Sequence, residues 1–543
     1  MNKLIIVLYL SLLCSIAQAQ LPIPEFQKGK ATLSGTIENY NPNSNLNFRI
    51  NIPNILMRTP ETLFPTIEPN GSFEINIPLY NSTQIRMTIG HEDLVMLLSP
   101  DKKTDVAINL SNPIGKRFIF SGQYATINNE WCQPELIKRI PPVYLNGALL
   151  DSIADINANE FKKRCIDQYK QYVAHNNAQV QFSEDARTLA NLTCAFDCLH
   201  NLETTHYCLQ TAYQKKTNIT VEQAFAAFSN INLPDNFYDY LKDFPVNHPL
   251  ALYCYNYCQV LTQPYESHTS HLGLEKYLST NAPLTKEEQT VIHQYERAFK
   301  TGVPFQQGSD IIEIVVKYAK ESDDYRWKTF SQFKKYLNHI MQDSTCLFID
   351  FARTMYIRLK YHDLNPVASR IEAMTSEITN PIFLGIIQDM NQQRQPRTKK
   401  KEKRVSICEV PQVSEKDLFA TLIARHKGKV QFIDFWATWC SGCRKTIQEY
   451  EPLKKEISAD KVAFVYLTPP SSIENTWKIL IEDIAGEHYW LNKKQWNYLW
   501  EHFQMTGLPM YLIIDKQGNI VKRFTHITTK ELKELLEVEI NKI

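Results

Sequence analysis

The sequence predicts three folded parts in one chain: an N-terminal antiparallel β-sandwich, a central all-α domain and a C-terminal α/β domain. Three observations carry that reading. Apolar residues alternate with period two from about residue 30 to 122, and they recur at helical spacing from about 124 to 393. Further on, a short apolar strand runs into a helix through two cysteines spaced three apart. A chain of 543 residues is too long for one hydrophobic core, so two or three domains are expected.

The first 19 residues read as a secretory leader. Lys3 precedes an apolar run from Leu4 to Leu13, and Ala17-Gln18-Ala19 supplies the small-x-small end that signal peptidases cut. The run is too short to span a bilayer, which takes about 20 apolar residues. Bulky Leu13 before Cys14 argues against lipid attachment there. No later segment is long and apolar enough to cross a membrane, so the mature chain is expected to lie beyond the inner membrane, in the periplasm.

Residues 20–123 form the β part. Leu46, Phe48, Ile50 and Ile52 share one face, as do Phe73, Ile75, Ile77 and Leu79, then Ile85, Met87 and Ile89, then Val106, Ile108 and Leu110. Pro69-Asn70-Gly71 marks a turn between strands. Residues 124–391 form the helical part, with Phe161, Cys165, Tyr169 and Tyr172, and then Ile311, Val315, Tyr318 and Ala319, at helical spacing. Prolines at 234, 283 and 304 separate its helices. Residues 392–404 are polar and basic, with five Lys or Arg from Lys399 to Arg404 against Glu402, and read as a solvated linker. The net charge of +1 gives no reason to expect nucleic acid or an anionic membrane surface as partner.

Twelve cysteines leave an odd number once Cys14 goes with the leader, so not all can pair within one chain. Cys194, Cys198 and His200, followed by His206 and Cys208, have a metal-like look. The same spacing suits core packing or one disulfide to Cys208, since Cys packs as a small hydrophobe. Cys254 and Cys258, set among tyrosines, read as core. Cys408 has no evident role.

The chemistry is concentrated at Gln431 to Arg444, Gln-Phe-Ile-Asp-Phe-Trp-Ala-Thr-Trp-Cys-Ser-Gly-Cys-Arg. Val430 to Phe435 suits a buried central strand, and Thr446 to Ile457 a helix kinked at Pro452. Cys440 and Cys443 then fall where strand turns into helix, where unpaired backbone N–H groups and a partial positive charge favour thiolate. Zinc uses the same Cys-x-x-Cys spacing but normally needs a second ligand pair, and none follows in this domain. A redox dithiol is the stronger reading, with no metal and no cofactor.

Asp-Phe-Trp-Ala-x-Trp-Cys-x-x-Cys resembles the thioredoxin fold, and Thr506-Gly507-Leu508-Pro509 resembles the loop that carries the cis-proline beside its cysteines. The resemblance covers residues 405–543. It includes a strand Met510 to Asp515, a turn at Asp515 to Asn519, a strand Ile520 to Phe524 and a helix from Thr529. Between Cys443 and Pro509 lies an insertion with a helix Ile473 to Ala485, a strand at His488 to Trp490 and a helix Lys494 to Phe503. That insertion resembles the bacterial envelope branch called TlpA-like or ResA-like, and the β part resembles the domain preceding thioredoxin domains in many Bacteroidetes proteins.

The resemblance implies a thiol-disulfide oxidoreductase of the cell envelope. Cys440, nearer the helix start and the surface, is the expected nucleophile, and Cys443 resolves the mixed disulfide. Asp434 matches the buried acid that exchanges a proton with Cys443. Trp439 flanks the exposed sulfur, Trp436 packs in the core, and Leu508 and Pro509 line the substrate groove. The partners implied are protein disulfides and a membrane thiol donor. Ser441-Gly442 stands where thioredoxins have Gly-Pro, so reduction is favoured by the branch resemblance alone. The rival readings are a non-catalytic scaffold and an isomerase or chaperone whose clients bind the first two domains.

Overall fold

The computed structural model describes residues 21–542 apart from 43, 45, 54–60, 135, 137–139, 144–146, 221–222, 225–236, 261–270, 302–307, 364–367, 395–404, 473 and 506. The leader, most of the basic stretch 392–404 and Thr506 therefore lie outside the described residues. The chain runs from a β-rich region through a helical middle to an α/β domain.

Among the described residues, eight strands make up the first region: β1 (Gly29–Ile37), β2 (Phe48–Ile52), β3 (Glu61–Leu63), β4 (Ser72–Leu79), β5 (Thr83–Ile89), β6 (Glu92–Leu98), β7 (Lys103–Ile108) and β8 (Phe118–Gly122). They form two four-stranded sheets, ordered β4-β1-β7-β8 and β3-β2-β5-β6. Alternation sends Leu33, Ile50, Ile77, Met87 and Val106 into one shared core. Pairing is not wholly antiparallel, because β1 and β7 run parallel. The chain leaves this sheet after β4, builds β5 and β6 in the other, and returns beside β1, a connection long enough for a parallel pair.

The strand β6, Glu-Asp-Leu-Val-Met-Leu-Leu, escaped the period-two reading because both of its faces are buried. Met96 and Leu98 enter the core between the sheets, whereas Val95 and Leu97 enter the core of the helical region. The exposed edge of β6 is closed at Leu97, whose N–H and C=O both bond the Asn128 amide. Asn129 closes β8 in the same way at Phe120.

The helical region contains long helices such as Ala158–Ala178, Glu184–Glu203, Ala319–Met341 and Leu347–Asp363. Cys254 and Cys258 are buried in the core, as their setting among tyrosines suggests, and the aromatic run around them forms short 3-10 turns, Ala251–Tyr253 and Tyr255–Gln259, after prolines 245 and 249. One expectation needs correction. The apolar spacing from Ile311 to Ala319 spans two helices, since Gly308–Lys317 ends and Tyr318 caps Ala319–Met341. Cys194 and Cys198 lie on Glu184–Glu203 and Cys208 on Thr205–Thr217, all buried in the core as thiols rather than disulfides.

Among the described residues the third region has six strands: β9 (Val405–Ile407), β10 (Val430–Phe435), β11 (Val462–Thr468), β12 (Gly486–Trp490), β13 (Met510–Ile514) and β14 (Ile520–Phe524). Their order is β14-β13-β10-β11-β12-β9. Every residue of central β10 is buried, paired parallel to β11 and antiparallel to β13. Its side chains alternate between two apolar layers. Val430, Phe432 and Trp436 face the layer built on α1 (Ser441–Tyr450), α2 (Leu453–Glu456) and α3 (Thr529–Asn541). Ile433 and Phe435 face helices Glu415–Ala424 and Lys493–His502. The insertion supplies helix Glu474–Leu480 and a 3-10 turn Ile481–Asp483, in place of one helix from Ile473 to Ala485.

Candidate active site

The helix after β10 starts at Ser441, five residues earlier than the spacing from Thr446 suggests, and Pro452 divides it into α1 and α2. Proline lacks the N–H that would continue the helix. Cys440 is the N-cap, so both cysteines belong to the first turn, where backbone N–H groups lack intrahelical partners. The Cys443 N–H donates to Cys440 Sγ at 3.1 Å. Together with the helix dipole, that donor favours negative charge on Cys440 over Cys443.

Cys440 and Cys443 form a disulfide with their Cα atoms 5.3 Å apart. Cys440 is 8% exposed and Cys443 0%, so an incoming group reaches the first sulfur before the second. The Leu508–Pro509 peptide is cis, and both residues are half-buried, with Leu508 packed against both apolar layers. A Cβ placed on Gly442 or Gly507 would meet nothing within 4 Å, so there is open space at both glycines.

Trp439 is 40% exposed, while Trp436 is fully buried. The Trp439 Nε1 donates to Ser471 Oγ at 3.1 Å, and the Thr438 N–H donates to Ser472 Oγ at 3.1 Å. The loop after β11 thus holds the loop that carries Cys440 from the side. Sequence reasoning missed both serines, because nothing local marks a residue 32 positions away as a partner of Trp439.

Asp434 is completely buried on β10, on the face that Phe432 and Trp436 share with α1. Burial pushes its carboxyl up to about 7, while the Tyr450 hydroxyl and the Lys454 ammonium act in the opposite direction. Tyr450 donates to Asp434 Oδ2 at 2.6 Å. Oδ1 has no hydrogen-bond partner among the described residues. Lys454 is buried too: its Nζ donates to the Ala485 carbonyl at 2.6 Å, pairs with Glu451 and lies 4.7 Å from the Tyr466 ring centroid. Tyr450 and Lys454 were also missed, although Cys443, Ile447 and Tyr450 follow an i, i+4, i+7 pattern that a helical reading of α1 would expose.

Among the described residues no group of His, Cys, Asp or Glu is arranged to hold a metal ion. No helix of the described residues is long and apolar enough to cross a membrane.

A family model described as thioredoxin-like matches residues 428–520. The thioredoxin-like protein YneN of Bacillus subtilis (strain 168) is 29% identical over 119 residues, 21% of this chain and 66% of that protein. The match thus falls just short of two thirds of that relative's length. Among solved structures, a thiol:disulfide interchange protein of the thioredoxin family from Chlorobium tepidum is 20% identical, covering 22% of this chain and 84% of that one, with a TM-score of 0.20. The thioredoxin domain of a thiol-disulfide oxidoreductase from Bacteroides vulgatus is 22% identical over 22% of this chain and 84% of that one, again with a TM-score of 0.20. Over residues 428–520 the C-terminal domain of this chain is thus thioredoxin-like in sequence.

Proposed function

We propose that this chain is a thiol-disulfide oxidoreductase of the cell envelope, of the TlpA-like or ResA-like branch, that reduces disulfides in polypeptides. The observation that carries the reading is the Cys440–Cys443 disulfide at the start of α1, with Cys440 slightly exposed and Cys443 fully buried. The half-exposed Trp439 and open space at Gly442 and Gly507 support a groove for an extended substrate. The leader-like residues 1–19 support export, and the branch resemblance supports the direction of electron flow and a membrane thiol as donor.

In the reduced protein the Cys440 thiolate attacks one sulfur of a substrate disulfide. A Cys440–substrate disulfide forms and one substrate thiolate leaves. Cys443 gives its proton to Asp434 and attacks Cys440 Sγ. The Cys440–Cys443 disulfide forms, the second substrate thiolate leaves, and two electrons have passed to the substrate. Leu508 and Pro509 bound the groove along which the substrate backbone lies.

Removing Cys443 should halt the reaction at the mixed disulfide. Cys443→Ala expressed in its native envelope is expected to accumulate covalent adducts that disappear on reduction, and Cys440→Ala few or none. The comparison is made with Cys132 and Cys408 changed to Ser, since among the described residues these cysteines outside the pair are only partly buried. Equal adducts from both variants would overturn the assignment of roles; none from either would favour a scaffold.

A further inference from the structure

Asp434, Cys443 and Tyr450 share one layer. The alternation of β10 turns Asp434 toward α1, and the spacing of α1 turns Cys443 and Tyr450 back toward β10, both of them in the core of that layer. Tyr450 and Asp434 are fully buried, and their contact of 2.6 Å is the only hydrogen bond to the carboxyl among the described residues. One carboxyl oxygen is thereby held and the other left open.

We propose that Tyr450 is a positioning residue: its hydroxyl holds Asp434 Oδ2 so that Oδ1 takes the proton of Cys443 when that thiol resolves the mixed disulfide. The inference rests on the oxidoreductase reading above. The proton passes from Cys443 Sγ to Asp434 Oδ1, the Cys443 sulfur bonds Cys440 Sγ, the bond from Cys440 to the substrate breaks, and the departing thiolate is protonated by solvent. A carboxyl without the Tyr450 donor could turn either oxygen toward the thiol and would hold its own proton more tightly, because a hydrogen bond to the charged form is lost.

The other groups around Asp434 leave its titration readable. Cys443 lies on α1 with Cys440 at its N-cap, Tyr466 on β11 and Tyr511 on β13; burial pushes both tyrosines up, so they stay neutral. His488 on β12 stacks on Tyr466 and is pushed down to about 4 by burial, so it is neutral near pH 7. Lys454 and Glu451 form a pair of opposite charge. In the oxidised protein the cysteines do not titrate, so there the carboxyl is observed alone; in the reduced protein the midpoint belongs to the Asp434–Cys443 pair.

The test is Tyr450→Phe in the full chain. Two midpoints are read: the protonation of Asp434 in the oxidised protein, by infrared spectroscopy with Asp434→Asn identifying its band, and the pH dependence of resolution in the reduced protein. Both are expected to rise by about one to two pH units, the size of a lost hydrogen bond to a charged group, with resolution at pH 7 slowed about tenfold or more. Combined with Asp434→Asn, Tyr450→Phe should add nothing. If Tyr450→Phe fails to fold, 3-fluorotyrosine at position 450, a stronger donor, should move both midpoints down. Unmoved midpoints in an active protein would overturn the role of Tyr450 alone, whereas a wild-type chain without thiol exchange would overturn the oxidoreductase reading instead.

Discussion

Asp434 is buried at a cost, and the sign of that cost can be worked out. Burial raises its carboxyl to about 7 in the folded chain, against about 3.9 when unfolded. Folding therefore favours the neutral acid. The contribution is fully present below about pH 4 and is lost as pH rises through about 7. The difference is worth on the order of 4 kcal/mol at most. Asp434→Asn keeps the shape and cannot ionise, so its stability relative to wild type should improve steadily from pH 4 to pH 8 in chemical denaturation. A constant gap would show that the carboxyl does not titrate in that range. The same substitution should slow thiol exchange near neutral pH, because Cys443 loses its acceptor. Equal rates from about pH 6 to 9 (a range bracketing ordinary thiols) would leave Asp434 with a structural role only.

At the scale of elements, β6 is the informative case. A period-two reading expects one face of each strand to be exposed in an isolated β domain. The structure instead buries Leu97 against the helices and closes its backbone with Asn128. Leu97→Ala is expected to destabilise the full chain by about 2–5 kcal/mol, as for other buried leucines. A surface leucine would change stability by about 0.5 kcal/mol or less. Denaturant titration separates the two. The element that carries the cysteines was placed by the sequence to within a few residues. Its true start is at Ser441: in the structure Cys440 caps the helix and Gly442 lies inside it.

Across the whole molecule, the apolar cores divide unevenly. The two layers of the thioredoxin-like domain contain only residues from Cys408 onward. The cores of the other regions contain only residues up to Met390. Lys493 and Glu313 form an ion pair between the two parts at 3.6 Å, a surface contact worth about 0–1 kcal/mol. Residues 405–543 are therefore expected to fold alone, with a cooperative circular dichroism melt and retained disulfide reduction. Residues 20–123 should not behave in this way. Val95 and Leu97 belong to the helical core, and Leu21 and Phe26 pack against it, so the isolated β region would expose apolar surface and aggregate. A soluble, monomeric 20–123 segment would contradict that coupling.

Sequence alone determined what is local. Alternation marked four of the eight described strands, helical spacing marked the middle region, and the Cys440–Cys443 spacing marked the dithiol; Asp434 and Pro509 were singled out by resemblance to thioredoxins. The first three follow from the repeat of a strand or helix, or from residues a few positions apart. Tertiary structure decided what depends on distant partners: the parallel pairing of β1 with β7, the double burial of β6, the grip of Ser471 on Trp439 and the placing of Tyr450 against Asp434. Tyr450 could be placed on a helix from the sequence, but not against Asp434. Strand β10 and helix α1 had first to close on each other, and no periodicity within one segment encodes that contact.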